Sequence, residues 1–181
     1  IKDVPHIIGF QLDNETTAYD TRGSRAQALF LERLKAKYPD INEFNHEFGL
    51  DYWSNRVNSW EDFPNVNGTI NQSLDAEFKK FQRDIAAEFL DWQGAIINEY
   101  KRPDQFLTQN FCFDWRGSSY GMHPDIDCAQ AAKCLTVAGV DIYHRSAAFL
   151  TGEAINMGGA IGRSLKKDNY LVLETEAQGN P

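Results

Sequence analysis

The chain of 181 residues is 42% hydrophobic and 13% aromatic, enough apolar surface for one sizeable core and unlike a disordered segment. Its formal charge of -8 argues against a nucleic-acid partner, which needs clustered Lys and Arg where this chain has only isolated pairs such as Lys79-Lys80 and Lys166-Lys167. The longest apolar runs, such as Ile7-Ile8-Gly9-Phe10, fall far short of the roughly 20 residues of a membrane span, so no membrane association is expected either.

In chain order, the first strand signal covers His6 to Leu12. A helix is predicted from about Arg22 to Tyr38 on Ala26, Leu29, Phe30 and Leu34. The stretch from Ile41 to Asn71 is rich in Asn, Trp, Pro and Gly without a sustained period, and reads as an excursion. Ala76 to Tyr100 then places Phe78, Phe81, Ile85, Phe89, Trp92, Ile96 and Tyr100 three and four residues apart, predicting one apolar face of a long helix. Further strands are predicted over Gln105 to Phe113, Gly139 to Tyr143 and Asn169 to Leu173, with helices over Ile126 to Val137 and Gly152 to Lys167. Strands alternating with helices predict an α/β fold with a parallel sheet, whose functional groups gather at the carboxyl ends of the strands.

Cys112, Cys128 and Cys134 lack a C-x-x-C pair, and His6, His46, His123 and His144 lack a ligating spacing. Neither a disulfide framework nor a bound metal is expected, and each cysteine reads as a small buried hydrophobe. The chain opens on Ile1 and closes on Gly179-Asn180-Pro181 soon after an apolar strand, so both ends are expected to be cuts inside one catalytic domain covering residues 1–181.

Two strands end on acids: Gln11-Leu12-Asp13-Asn14-Glu15 and Val172-Leu173-Glu174-Thr175-Glu176. Paired carboxylates at strand ends suit glycoside hydrolysis, where one protonates the leaving oxygen and the other attacks the anomeric carbon. An amide beside the acid, here Asn14, has a use in bonding the neighbouring sugar hydroxyl. In a chain with 26 Asp and Glu, some also fall at strand ends merely to face solvent or cap a helix, and the pattern alone leaves both readings open.

Five ordered segments carry a resemblance: I-I-G-F-Q-L-D-N-E-T, F-G-L-D-Y-W-S, T-Q-N-F, V-A-G-V-D-I-Y-H and D-N-Y-L-V-L-E-T-E-A-Q. Together they resemble the catalytic barrel of glycoside hydrolase family 42, the β-galactosidases, over nearly the whole chain. The resemblance implies a partial (β/α)8 TIM barrel, its fourth to seventh strands, and release of terminal non-reducing β-D-galactose with retention by double displacement. By the same resemblance Glu15 matches the acid/base, Asn14 the amide that contacts the sugar, and Glu174 the nucleophile, with Glu176 a distant second. Trp53 matches an aromatic residue of the sugar site, and Tyr143 a tyrosine that bonds the nucleophile. For Trp53 the alternative is anchorage in a local core with Phe48, Tyr52 and Trp60; for Tyr143 it is plain core burial.

Asn110, Trp115 and Arg116, on or just after the second long strand, are further candidates for lining the site, with ordinary loop packing as the favoured reading. No cofactor is implied, and the cysteine cluster with which many members hold zinc has no counterpart around Ala18 to Arg25. His144-Arg145 stands where a proline more often follows the tyrosine. The implied partner is a β-galactoside oligosaccharide, the implied assembly of the complete enzyme a homotrimer, and its expected location the cytoplasm. The alternatives are another retaining barrel glycosidase, acting on β-mannosides or β-glucosides, or a catalytically silent piece.

Overall fold

The computed structural model describes residues 2–113, 123–143 and 152–175. Its strands are β1 (Gly9–Gln11), β2 (Phe106–Thr108), β3 (Asn110–Cys112), β4 (Ala138–Ile142) and β5 (Tyr170–Thr175). Its α-helices are α1 (Ser24–Lys37), α2 (Ile41–Glu47), α3 (Gln72–Tyr100), α4 (Cys128–Ala131) and α5 (Gly152–Lys166). The fold divides into two compact units, residues 1–19 with 83–181, and residues 20–82.

In the first unit every strand pair is parallel and neighbours follow chain order: β1 on β2, then β3 on β4 on β5. The strand predicted over Gln105 to Phe113 is interrupted at Gln109, which divides it into β2 and β3. Sequential parallel strands with helical crossovers are the construction of an α/β barrel wall. One face of this wall is apolar: Leu107, Phe111, Val140 and Ile142 join Leu12, Ala87, Leu90, Ala131 and Leu135 in the buried core. Because strand side chains alternate, the opposite face takes Thr108, Asn110, Gly139 and Asp141, a largely polar set.

Helix α4 is shorter than the single helix predicted over Ile126 to Val137. Asp127 caps its start, its side chain accepting from the Gln130 amide at 3.0 Å, and a 3-10 turn follows over Ala132–Cys134. The amides of Thr136 and Val137 then both donate to the Leu107 carbonyl, at 2.9 and 3.1 Å. Bonds that another helical turn would need are thus made to β2 instead, drawing the chain into β4.

Helix α3 matches the long helix predicted over Ala76 to Tyr100, but its apolar stripe is buried only in part. Phe78 and Phe81 are buried, but Phe89, Trp92, Ile96 and Tyr100 are exposed, and the buried side of this half carries Ala86, Ala87, Leu90 and Gly94. A Cβ on Gly94 would stand 3.3 Å from that of Cys134, so the helix comes close through small residues rather than through its aromatic stripe. Among the described residues, no helix is long and apolar enough to cross a membrane.

The second unit is held by aromatic packing. Ala26, Phe30 and Leu34 are the buried side of α1, with the Phe30 ring centroid 5.1 Å from Phe78 and 5.3 Å from Phe81. The excursion read over Ile41 to Asn71 contains α2, which has definite ends. Asp40 accepts from the Asn42 amide at 2.8 Å at its start. At its end the Leu50 amide donates to Asn45 O at 2.8 Å and Gly49, at φ 61°, donates to His46 O at 3.1 Å, a Schellman closure.

Gly139 sets the tightest packing of the sheet. A Cβ there would stand 2.4 Å from Leu173 Cδ1 and 2.6 Å from the Gln109 carbonyl oxygen, and the carbonyl is backbone that cannot turn away. Gly139→Ala is therefore expected to destabilise the fold by ~1–3 kcal/mol, read as a lower urea midpoint with an unchanged slope.

Candidate active site

The acid-bearing segments meet at one end of the sheet. Beyond β1 the chain turns through Asp13, Asn14 and Glu15, and Glu15 sits at φ 45°, a left-handed conformation uncommon outside glycine. Neighbouring side chains hold it there. The Glu15 amide donates to Asn110 Oδ1 at 3.1 Å, and the Thr16 hydroxyl to Asp13 Oδ2 at 2.7 Å. The fully buried Gln109 amide, in the orientation that satisfies both its ends, donates to the carbonyls of Leu12 and Asp13 at 2.5 and 2.9 Å and accepts from the Thr16 amide at 3.1 Å.

Glu174 reaches the same place by a different device. Val140 pairs with Val172, but the next residue, Asp141, pairs with Glu174, so Leu173 is an extra residue in β5. Strand side chains alternate, so without this bulge Asp141 would face Leu173 and Glu174 would turn to the opposite side. The bulge puts Glu174 beside Asp141.

Asn110 joins these parts. Its Oδ1 accepts from Gln11 Nε2 at 2.9 Å as well as from the Glu15 amide. Its Nδ2 lies 2.9 Å from Asp141 Oδ2, 3.0 Å from Glu174 Oε1 and 3.1 Å from Asn14 Oδ1. The Tyr143 hydroxyl donates to Glu174 Oε2, and this bond, with burial, raises the phenol well above its ordinary range. One carboxylate oxygen from each of Glu15, Asp141 and Glu174 lies within 4.8 Å of the others, a set that also has the donors to hold a cation. Inverting hydrolysis separates its carboxyl groups by about 6.5–9.5 Å to admit a water, and direct attack needs about 5–5.5 Å. The spacing of Glu15 and Glu174 fits the second.

Glu15, Glu174, Asn14, Asn110 and Tyr143 therefore come together in the first unit. Trp53 belongs to the second. It is 92% exposed at φ 57°, and Tyr52 is exposed too, whereas Phe48 and Trp60 pack with Phe44, at ring-centroid distances of 4.8 and 5.1 Å. Trp53 is thus not an anchor of that core. Trp115, Arg116, His144, Arg145 and Glu176 lie outside the described residues.

Three participants escaped sequence reasoning. Gln109 and Asp141 lie inside motifs that carried the resemblance, but nothing in an apolar strand run singles out a polar residue before its partners across the sheet are known. Cys112, read as a plain buried hydrophobe, is only half-buried and hydrogen-bonds Glu15, and burial with the surrounding carboxylates pushes its thiol up to about 12.

The family model described as Beta-galactosidase, that of glycoside hydrolase family 42, matches residues 1–180. Beta-galactosidase BgaA of Clostridium cellulovorans is 31% identical over 97% of this chain and 26% of its own length. Beta-galactosidase BglY of Alicyclobacillus acidocaldarius is 26% identical over 94% of this chain and 24% of its own. The chain thus spans about a quarter of the relatives it matches. The structure of a catalytic mutant of Gan42B, a GH42 beta-galactosidase from G. stearothermophilus, superposes with a TM-score of 0.78 at 25% identity, covering 96% of this chain and 26% of that one.

The thiols offer a test of the local environments. Burial raises Cys112 and Cys128 to about 12 and Cys134 to about 11, so all three stay protonated and weakly nucleophilic at mildly alkaline pH. Native protein at about pH 8 is expected to resist iodoacetamide, and urea-unfolded protein to take up three labels by mass spectrometry.

Proposed function

The chain belongs to glycoside hydrolase family 42, the β-galactosidases, and we propose on that footing that it supplies both catalytic carboxylates of a retaining β-galactosidase. Residues 1–181 are in this reading part of one catalytic barrel completed by strands beyond them. Glu174 attacks the anomeric carbon while Glu15 passes its proton to the leaving oxygen. Glu15 then takes a proton from water, which releases β-D-galactose from the glycosyl-enzyme. Two inversions give net retention. The observation that carries this reading is the approach of Glu15 and Glu174 within 4.8 Å, too close for a water to be activated between them.

The surrounding groups have parts that follow from their bonds. The Tyr143 hydroxyl donates to Glu174 Oε2 and so fixes how that carboxylate is turned. Asn110 holds Glu174 Oε1 and the Glu15 amide on one side-chain amide, which keeps the two acids in a fixed relation. Asn14, bonded to Asn110 through its oxygen, has an amide nitrogen to offer the sugar hydroxyl next to the reacting carbon. Trp53, carried by the second unit, presents an exposed apolar ring face of the kind that packs against the C-H face of a sugar. Its exposure, and a left-handed backbone that bulky residues rarely adopt, support a role at a site rather than in packing.

Replacing each glutamate in the complete enzyme tests the assignment. Glu174→Ala is expected to lower turnover of an aryl β-galactoside by ~10³-fold or more, with azide restoring activity and giving the α-galactosyl azide. Glu15→Ala is expected to lose ~10²–10⁴-fold on poor leaving groups and much less on activated ones. Near-normal turnover by Glu174→Ala would defeat the assignment, and a panel of aryl galactosides, glucosides and mannosides decides the sugar.

Tyr143→Phe removes one hydrogen bond to the nucleophile without opening space. Its kcat is expected to fall ~10–100-fold with KM nearly constant. A change confined to KM would assign Tyr143 to the sugar instead.

A further inference from the structure

Double displacement employs Glu15 and Glu174 and leaves a third acid of the site, Asp141, without a part. Asp141 is fully buried near the carboxyl end of β4, a strand buried along its whole length. It pairs across the sheet with Cys112 on one side and with Glu174 on the other. Its Oδ2 accepts from Asn110 Nδ2 at 2.9 Å and the Glu174 backbone amide also faces the carboxyl, while Oδ1 is buried without a hydrogen bond of good geometry among the described residues. An unpartnered buried oxygen is a modest cost on a neutral acid and a severe one on a carboxylate.

The titratable groups around Asp141 are Glu15 from the turn after β1, Cys112 from β3, Tyr143 from the end of its own strand and Glu174 from β5. None of the four carries a positive charge in either of its protonation states, so nothing in this set balances a further anion. Asn110 sharpens the constraint. Its Nδ2 has two protons to share among Asp141, Glu174 and Asn14. An ionised Asp141 would compete with Glu174 for them, whereas a neutral one is the weaker acceptor.

We propose that Asp141 is a positioning residue of the reaction, working as a neutral carboxylic acid beside the catalytic pair so that Asn110 serves Glu174 and the negative charge of the site rests on the nucleophile. This rests on the double-displacement reading above. Burial, with the Glu174 charge next, pushes the Asp141 carboxyl up to about 7, which agrees with the geometry. The proton is then present on the acid side of about pH 7 and lost above it. When only the doubly protonated pair of Glu15 and Asp141 is active, ionisation of either ends activity. A permanently neutral Asp141→Asn removes one of the two losses.

The test compares kcat/KM for an aryl β-galactoside between complete wild-type, Asp141→Asn and Asp141→Ala enzymes from about pH 5 to 9. Asp141→Asn is expected to lose no more than about tenfold at pH 5.5, and its ratio to wild type should rise as pH passes about 7. Asp141→Ala, which takes away the acceptor that orients Asn110, should fall ~10²-fold and lie below Asp141→Asn at every pH. A ratio that is flat or falls with pH, or an Asp141→Asn enzyme as impaired as Asp141→Ala, would overturn the proposal. So would activity lost on exhaustive chelation and restored by a divalent cation, since a metal would then balance the three acids.

A second measurement needs neither turnover nor a folded Asp141 variant. In Glu15→Gln protein at about pH 6, where ordinary carboxyls are ionised, the infrared C=O stretch of one protonated acid should persist and titrate near pH 7. Its absence would overturn the proposal. If wild-type enzyme failed to cleave any β-galactoside, the proposed function would fall, and the infrared titration would still report on Asp141 separately.

Discussion

The first unit turns on the side-chain amide of one residue, Asn110. A primary amide offers two donors and an acceptor in a rigid plane, and here that plane touches groups from β1, the turn after it, β4 and β5. Because the Glu15 backbone amide and the Glu174 carboxylate bond the same planar group, the turn after β1 and the end of β5 are tied to one another. The left-handed turn at Glu15 is held by the Asn110 oxygen, and the carboxylate of Glu174 is oriented by its nitrogen. Aspartate at this position could still accept from the Glu15 amide but would offer no donor to Glu174, and leucine would leave several polar groups buried without partners.

The supporting shell works by the same economy. Gln109 holds the backbone on both sides of the turn that carries Glu15, and the register shift in β5 brings Glu174 to the polar face of the sheet. These devices act on backbone rather than on the reacting groups. The acids can thus face each other while the covalent frame beneath them stays fixed, which is the pre-organisation that positional catalysis requires.

Much of this was legible in the sequence, and the limits have physical causes. Strand segments were found because the core-facing residues Leu107, Phe111, Val140 and Ile142 leave apolar runs. Glu15 and Glu174 stood out because each follows such a run, and Asn14 because it adjoins Glu15. Asp141 and Cys112 were not visible as site residues, because a polar or thiol side chain inside a strand gives no sign of what lies opposite it. The stripe on α3 was misread for a related reason. Periodicity reports that a helix has an apolar face, but the close approach to β1 and the 3-10 turn is made by Gly94 and small neighbours, leaving Phe89, Trp92 and Ile96 on the other side. Helix α2 was missed because its signals are its two caps, which a search for sustained period passes over.

The extra residue in β5 has a consequence for how such a site can change. Side-chain direction along a strand alternates residue by residue, and the bulge that absorbs Leu173 lets Glu174, two residues after Val172, come out on the polar face. Straightening the strand there, with every side chain kept, would still turn the carboxylate away from Asp141. The carboxylate is therefore specified twice over, once by its identity and once by the backbone irregularity that turns it.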